Sequence, residues 1–391
     1  MERECLGPWA SELLLVIVVV AALAFDFTNG FHDTANAMAT SIATGALRPK
    51  VAVLISGVLN LAGAFLSTEV AKTISSGIVN DHLVTPGMIF AGLVGAIIWN
   101  MATWLLGMPS SSSHALFGGL IGAVWVGAGR KGVNFGEVVE KILIPAVASP
   151  LVAGAAALAA TYFAYRITRR APPGKVSRGF RLGQVASASL VSLAHGTNDA
   201  QKTMGVITLV LISSGALAPG SGPPVWVILT AGLAIAGGTY VGGWRIIRTM
   251  GRGIADIESP QGFAAESASS AVILTSANMG FALSTTQVCS GGILGAGMGR
   301  RLAGVRWGTA GRIAMAWLVT LPAAGAVGAV AASAVVHGGT LGTVLIALAA
   351  VVVSGVIVLL SRRSPVDAKN VNDDRTTHVR PVAAAKARAG V

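Results

Sequence analysis

Long apolar runs are the feature that most constrains this chain. They recur along nearly its whole length, as in LLLVIVVVAALAF (13–25) and GTVLIALAAVVVSGVIVLL (342–360). Of the 391 residues, 53% are hydrophobic and only 11% are charged. A helix needs about 20 apolar residues to cross a bilayer core of ~30 Å, and lipid offers no partner for free backbone amides. Because the runs lack the period-two alternation of a membrane barrel, we expect an all-α integral membrane protein.

The basic residues predict an orientation. The net charge of +12 is spread over loops rather than gathered in one patch with interleaved aromatic residues, which disfavours a nucleic-acid partner. Three other loops contain neither Lys nor Arg: those at 80–85, 216–224 and 337–341. The positive-inside rule therefore predicts an N-terminus outside and a C-terminus in the cytoplasm, and only Arg130 and Lys131 disagree.

The sequence contains an internal duplication. GFHDTANAM (30–38) aligns without gaps with GTNDAQKTM (196–204), and SSSHALFGGLIG (111–122) aligns with STTQVCSGGILG (284–295). The motifs occur in the same order in each half, as expected of a repeat. We expect an N-terminal membrane repeat at 1–165, a basic cytoplasmic linker at 166–181, a C-terminal membrane repeat at 182–361 and a disordered cytoplasmic tail at 362–391.

The two halves are expected to have opposite orientations. The helix with Asp33 ends at Arg48 and so runs inward, whereas the helix with Asp199 starts at the basic linker and runs outward. Inverted-topology repeats with polar breaks at matching positions form the midplane sites of secondary transporters. Asp33 and Asp199 would face each other there, with a proton or cation between them. A zinc site that adds His32 and His195 is disfavoured, because neighbouring residues on a helix point about 100° apart.

The hydroxyl-rich motifs predict an anion site. Each motif lies between two apolar arms, which indicates two re-entrant hairpins among about 8–12 transmembrane or re-entrant helices. Ser and Thr are favoured helix N-caps, and free amides at a helix start bind anions. The two hairpin tips would therefore hold a compact tetrahedral oxyanion, phosphate or sulfate. The hydroxyls expected to bind it are Ser111, Ser112, Ser113, Ser284, Thr285 and Thr286.

These motifs resemble those of a known family. NGFHDTANA and HGTNDAQKTMG resemble the paired GANDVANA-type motifs of the inorganic phosphate transporter (PiT) family, and PSSSSHALFGG and LSTTQVCSGG resemble its repeated hydroxyl motif. The resemblance covers most of the chain and implies a dimeric phosphate symporter of a bacterial inner membrane, without a cofactor or enzymatic activity. It also implies that the Asp and Asn residues of the motif bind the coupling cations, or phosphate through them. The corresponding residues are Asp33, Asn36, Asn198 and Asp199.

Two positions depart from the sodium-coupled pattern of that family. His32 and Lys202 stand where that pattern has Asn. An ammonium cannot ligate sodium, so Lys202 would occupy the place of a cation beside Asp199, where it would also contact phosphate. Histidine titrates near neutral pH, which makes His32 a candidate protonatable group for the coupling. The resemblance to the bacterial low-affinity type thus favours proton coupling, with phosphate or a neutral metal–phosphate complex as the transported species and sodium coupling as the alternative.

Other functions compete with this interpretation. An anion channel is disfavoured by two inverted repeats that close around one site. An intramembrane serine enzyme would use a serine beside His114, but the second motif copy has Gln287 there. Sulfate is the rival substrate, although Asp33 can accept a hydrogen bond from protonated phosphate and meets only lone pairs on sulfate.

Three further groups of polar residues have structural or functional interpretations. Glu69 and Lys72, spaced i, i+3, are expected to pair with each other. Glu266, His114 and His195 can serve either packing or function.

Overall fold

The computed structural model describes residues 8–300 and 304–373. Within those residues the chain is helical, and its β-type pairing consists of two isolated bridges, Val79 with Val133 and Ala255 with Val305. The α-helices are α1 (Pro8–Ala43), α2 (Pro49–Gly63), α3 (Glu69–Ser76), α4 (Pro86–Leu105), α5 (Ser112–Ala128), α6 (Phe135–Val138), α7 (Ile144–Thr168), α8 (Pro173–Ser213), α9 (Val225–Val241), α10 (Trp244–Arg248), α11 (Ser259–Asn278), α12 (Thr285–Arg300) and α13 (Trp307–Ser361). A 3₁₀ turn (Arg130–Gly132) and two π-helical turns (Val139–Leu143, Thr249–Gly253) complete the helical segments.

Apolar length confirms the prediction of a helical membrane protein. Four segments in the described part of the chain are long and apolar enough to cross a membrane: Glu12–Ala43, Pro86–Leu105, Phe135–Thr168 and Trp307–Ser361. A fifth span results if Val225–Val241 and Trp244–Gly253, which meet at 61°, are taken together. The 41-residue α8 is not among them, because its apolar sequence is interrupted by the polar motif that contains Asp199.

Helix α13 is divided by a glycine. At about 1.5 Å per residue, its 55 residues would extend for ~80 Å, far beyond a bilayer core of ~30 Å. Gly339 has φ 53° and ψ −131° and separates the helix into two arms. Only glycine adopts this left-handed conformation at little cost. Helix α13 packs on α4 and α5.

Glycines bring the helices with the hydroxyl motifs close to their neighbours. A Cβ atom on Gly122 of α5 would lie 2.0 Å from the backbone oxygen of Gly325 on α13. A Cβ atom on Gly295 of α12 would lie 1.9 Å from the backbone oxygen of Gly154 on α7. Small residues at such crossings permit direct backbone contact, which fixes the position of the residues that begin α5 and α12.

The linker is mostly helical, and the tail is more ordered than expected. Most of the basic linker at 166–181 is helical, because α7 extends to Thr168 and α8 begins at Pro173. After α13, Arg245 donates a hydrogen bond of 2.7 Å to the backbone oxygen of Ser364, and Val371 is 2% exposed in an apolar cluster. The expectation of disorder from residue 362 is therefore wrong for 362–373, since these residues pack on the helical body. Residues 374–391 of the predicted tail lie outside the described residues.

Candidate functional site

Asp33 accepts hydrogen bonds from the hydroxyl groups of both hydroxyl motifs. It lies within α1 and is 1% exposed. Ser112, at the start of α5, donates a hydrogen bond of 2.5 Å to Asp33 Oδ2, and Thr286, in the first turn of α12, donates one of 3.2 Å to Oδ1. His32 Nδ1 lies 2.7 Å from Asp33 Oδ1. Residues that are far apart in the sequence thus meet at one buried carboxylate.

Asp199 has a corresponding set of partners on α8. It is fully buried and forms an ion pair with Lys202. Thr285 donates a hydrogen bond of 2.9 Å to Asp199 Oδ2, and Asn198 donates one of 2.8 Å to Oδ1. His195 Nε2 lies 2.9 Å from Oδ2. The aspartate of each sequence repeat therefore contacts the residue before it and a hydroxyl at the start of a short helix.

The ammonium group of Lys202 is fully paired. Its side chain is 1% exposed, and its Nζ atom donates to Asp199, to Ser113 Oγ at 2.6 Å and to the backbone oxygen of Leu283 at 2.9 Å. An ammonium group has three donors, and each has an acceptor here. A buried charge is tolerated only with such pairing, so Lys202 provides a fixed positive charge beside Asp199.

Asn36 occupies the repeat position that corresponds to Lys202. Its Nδ2 atom donates to the hydroxyl oxygens of Thr285 and Thr286 at 3.2 and 3.1 Å. Its Oδ1 atom and that of Asn198 have no hydrogen-bond partner among residues 8–300 and 304–373. Two buried amide oxygens near the aspartates are therefore available to accept a hydrogen bond or to ligate a cation.

The first serine of each hydroxyl motif caps the helix that follows it. Ser111 accepts a hydrogen bond of 3.1 Å from the backbone amide of His114, and Ser284 accepts one of 3.3 Å from the amide of Gln287. This is the N-cap arrangement expected at the start of α5 and α12. The hydroxyl groups of Ser111 and Ser284 thus contact the backbone, whereas those of the next two residues in each motif point at the central polar residues. His114 Nδ1 lies 3.4 Å from Gln287 Nε2, so the two motifs also contact each other.

His32 is surrounded by polar groups on both ring edges. Its Nε2 atom lies 3.1 Å from Thr103 Oγ1 and 3.3 Å from Ser110 Oγ, opposite the edge that contacts Asp33. The side chains of His32 and Asp33 were expected to point about 100° apart, but they meet, because the imidazole is long enough to turn back along the helix. Thr103 was missed by sequence reasoning, since its only signal is one hydroxyl in an apolar helix.

Two carboxylates and one imidazole lie close enough to share a cation. Single ligand atoms of Asp33, His195 and Asp199 all lie within 4.8 Å of one another. This grouping contains His195 instead of His32, because His195 is one helical turn from Asp199 on the same face of α8. The juxtaposition of two carboxylates favours a proton or a positive ion between them.

The remaining polar residues from the sequence analysis are engaged elsewhere. Glu69 and Lys72 form the expected pair at 2.8 Å. Glu266 accepts hydrogen bonds from Thr40 at 2.6 Å and from Ser187 at 2.5 Å. Its carboxylate joins α11 to α1 and α8.

One buried acid was missed by the sequence analysis. Asp26 is fully buried in α1, within an apolar run. Its position seven residues before Asp33 puts it on the same helix face, two turns away. This spacing is the signal that sequence reasoning could have used.

The fold and this buried polar centre are those of an α-helical membrane transporter with a duplicated polar motif. The sequence profile of the phosphate transporter family matches residues 29–328. The chain belongs to this family, whose members are transporters and not enzymes, and this argues against a serine enzyme built on the serines beside His114.

Two relatives and one solved structure show what the chain is similar to. It is 58% identical over 364 residues to the "Probable low-affinity inorganic phosphate transporter" of Mycobacterium bovis, covering 92% of this chain and 87% of that one. It is 44% identical over 321 residues to a protein of the same name from Rhizobium meliloti, covering 81% and 95%. A solved structure entitled "The sodium-dependent phosphate transporter" matches with a TM-score of 0.67 at 23% identity, covering 81% of this chain and 98% of that one. At this identity the structural likeness shows the fold alone.

Proposed function

We propose that this protein is a symporter that takes up inorganic phosphate together with protons by alternating access. The observation that carries the proposal is the convergence of hydroxyls from both motifs on two buried aspartates, one of which is already paired with Lys202. The names of the relatives support phosphate as the substrate.

Phosphate is proposed to bind at the starts of α5 and α12. Ser112, Ser113, Thr285 and Thr286 supply hydroxyl donors there, and the helix N-termini supply a favourable dipole. Lys202 adds a positive charge within hydrogen-bonding distance of Ser113. The carboxylate of Asp33 can accept a hydrogen bond from protonated phosphate but repels sulfate, which has no proton to donate at neutral pH. Uptake measured with and without Mg²⁺ distinguishes free phosphate from a metal–phosphate complex as the transported species.

Proton coupling is proposed because the cation position beside Asp199 is filled. The Lys202 ammonium takes the place that a sodium ion would need there. His32, which contacts Asp33 on one edge and two hydroxyls on the other, is suited to gain and release a proton. Sodium coupling is the alternative, and it is favoured by the unpaired oxygens of Asn36 and Asn198.

An inverted-repeat architecture with two re-entrant hairpins is proposed for the halves at 1–165 and 182–361. Equivalent residues make equivalent contacts: Ser112 binds Asp33 as Thr285 binds Asp199. The glycine crossings of α5 with α13 and of α12 with α7 match in the same way. We propose an outside N-terminus, a cytoplasmic C-terminus and a homodimer, which cysteine accessibility on each side of the membrane and cross-linking can test.

The deciding experiment is radiolabelled phosphate uptake by proteoliposomes that contain only this protein. A pH gradient and a sodium gradient are imposed separately, with sulfate as competitor and with or without Mg²⁺ to detect a metal–phosphate substrate. We expect uptake that follows the pH gradient, ignores sodium and resists sulfate. Asp33→Asn and Asp199→Asn should abolish it while the proteins remain folded. Uptake driven by sodium alone would replace proton coupling with the alternative, and the absence of phosphate uptake under both gradients would refute the proposal.

A further inference from the structure

A second buried polar cluster lies beside the central site, which is the group of polar residues around Asp33 and Asp199. Asp26 of α1 is fully buried, and neither of its carboxyl oxygens has a hydrogen-bond partner among the described residues. Asn29 and Thr203 lie beside this carboxyl as its side-chain hydrogen-bonding neighbours, but in a geometry that falls short of a hydrogen bond. In the same described part of the chain, both amide atoms of Asn29 and the hydroxyl of Thr203 also lack partners. Buried polar groups are rarely left unsatisfied in native proteins, so this concentration indicates a missing ligand.

The cluster is adjacent to the coupling residues but separate from them. Asp26 lies seven residues before Asp33 on α1, a distance of about 10 Å along the helix axis. Thr203 lies one turn after Asp199 on α8, which packs against α1. The repeat position of Asp26 is occupied by Ser192, so this carboxyl has no counterpart in the second half.

The charge of an ionised Asp26 would be uncompensated. The charged groups that act on it are Asp199, which is unfavourable, and Lys202. All three Lys202 donors are already taken by Asp199, Ser113 and the backbone of Leu283. Helix α4, which packs on α1, contains no titratable residue. Helix α9 also packs on α1, and its one titratable residue, Tyr240, is 61% exposed. A buried carboxylate without a counter-charge is too costly to persist, so Asp26 must hold a proton or a cation.

The neighbouring amide favours the proton. A neutral carboxyl has one O–H donor and one carbonyl acceptor, which complement the oxygen and the N–H of the Asn29 amide. The two residues are spaced i, i+3, so their side chains lie on one helix face. A metal ion would engage the oxygens of Asp26, Asn29 and Thr203 but would leave the Asn29 donor unmatched.

We propose that Asp26 is a second proton-binding site of the transporter, with Asn29 and Thr203 as positioning residues. Asp26 takes up a proton, and so becomes a neutral carboxyl, when phosphate loads. It gives up this proton when phosphate is released. The inference rests on the proposed proton-coupled function. It adds one proton to those carried by the central site.

The test compares Asp26→Asn with Asp26→Glu in proteoliposomes. The amide resembles the protonated carboxyl in shape but cannot release a proton, whereas Glu retains a titratable group. We expect Asp26→Asn to keep phosphate–phosphate exchange, which needs no net proton movement. Uptake driven by a pH gradient should fall by about tenfold, a typical coupling between two ligand sites, and the proton-to-phosphate ratio should fall by one. Asp26→Glu should restore both, and Asp81→Asn, in a surface loop, is the matched control.

Infrared spectroscopy supplies a readout that does not depend on transport. The carbonyl band of a protonated carboxyl should be present in the unaltered protein and in Asp81→Asn, and reduced in Asp26→Asn. Full proton-driven uptake in Asp26→Asn, or an unchanged carbonyl band, would overturn the inference. If uptake by the unaltered protein depends on sodium and Asp26→Asn removes that dependence while the pH response stays intact, the cluster binds a metal cation, and the inference is overturned as well. If the unaltered protein shows no proton-driven uptake, the proposed function fails, and the carbonyl band still decides whether Asp26 holds a proton.

Discussion

Replacement of Lys202 by Asn tests the coupling mechanism most directly. The substitution removes the ammonium that pairs with Asp199 and leaves a fully buried carboxylate without its counter-charge. Breaking a buried pair in this way costs about 3–5 kcal/mol, which corresponds to a factor of roughly 10² to 4 × 10³ in an equilibrium constant. Asn36, at the equivalent position of the first repeat, already contacts Thr285 and Thr286, so Asn at 202 can make the same kind of contact with the α5 hydroxyls.

The expected result is a change of coupling ion. In sodium-free buffer, initial phosphate uptake by Lys202→Asn should fall by about 10² or more, and sodium should restore part of it because an Asn oxygen can ligate the ion beside Asp199. Lys72→Asn is the matched control, since its pair with Glu69 is half exposed and should change uptake by less than about fivefold. Sodium-independent uptake at the unaltered rate in Lys202→Asn would refute the argument that Lys202 replaces a cation.

Three further changes test the packing, the proton carrier and the tail. Gly122→Ala and Gly295→Ala should each lower stability in a thermal melt by roughly 1–3 kcal/mol, because the new Cβ would meet a backbone oxygen at 2.0 or 1.9 Å; Gly311→Ala, with nothing within 4 Å, should not destabilise. His32→Asn should abolish phosphate uptake driven by a pH gradient in proteoliposomes, because His32 contacts Asp33 on one ring edge and two hydroxyls on the other, and full proton-driven uptake would exclude His32 as the carrier. Val371→Ala should lower the melting temperature by removing apolar contacts worth about 1 kcal/mol; no change would mean that the tail does not contribute to stability.

Several properties of the site follow from local sequence. A charged or amide residue in an apolar helix is visible from composition, and the duplication of its surroundings indicates that it recurs in a second helix. Asp33, Asn36, Asp199 and Lys202 were therefore identifiable as candidate site residues, and the structure places all four in the buried polar centre. The serine N-caps were equally predictable, because a cap involves only residues within one turn of each other.

Other properties depend on contacts that no local pattern encodes. The hydrogen bond from Asn36 to Thr286 joins residues 250 positions apart, and the sequence does not say which hydroxyl meets which aspartate. The same holds for Thr103, which contacts His32 across 71 positions. The tail expected to be disordered from 362 packs as far as 373, because arginines on α10 bind its backbone carbonyl groups.

The sequence by itself determined that this chain is a helical membrane protein, that its polar motifs are duplicated and which family it resembles. Those properties come from the cost of exposing backbone and charge to lipid, which acts residue by residue. Only the tertiary structure decided that the three donors of Lys202 are all occupied, while the side chains of Asp26, Asn29 and Thr203 have no hydrogen-bond partner among the described residues. Whether a buried charge is balanced depends on atoms brought together from distant helices, and that is a property of packing rather than of sequence order.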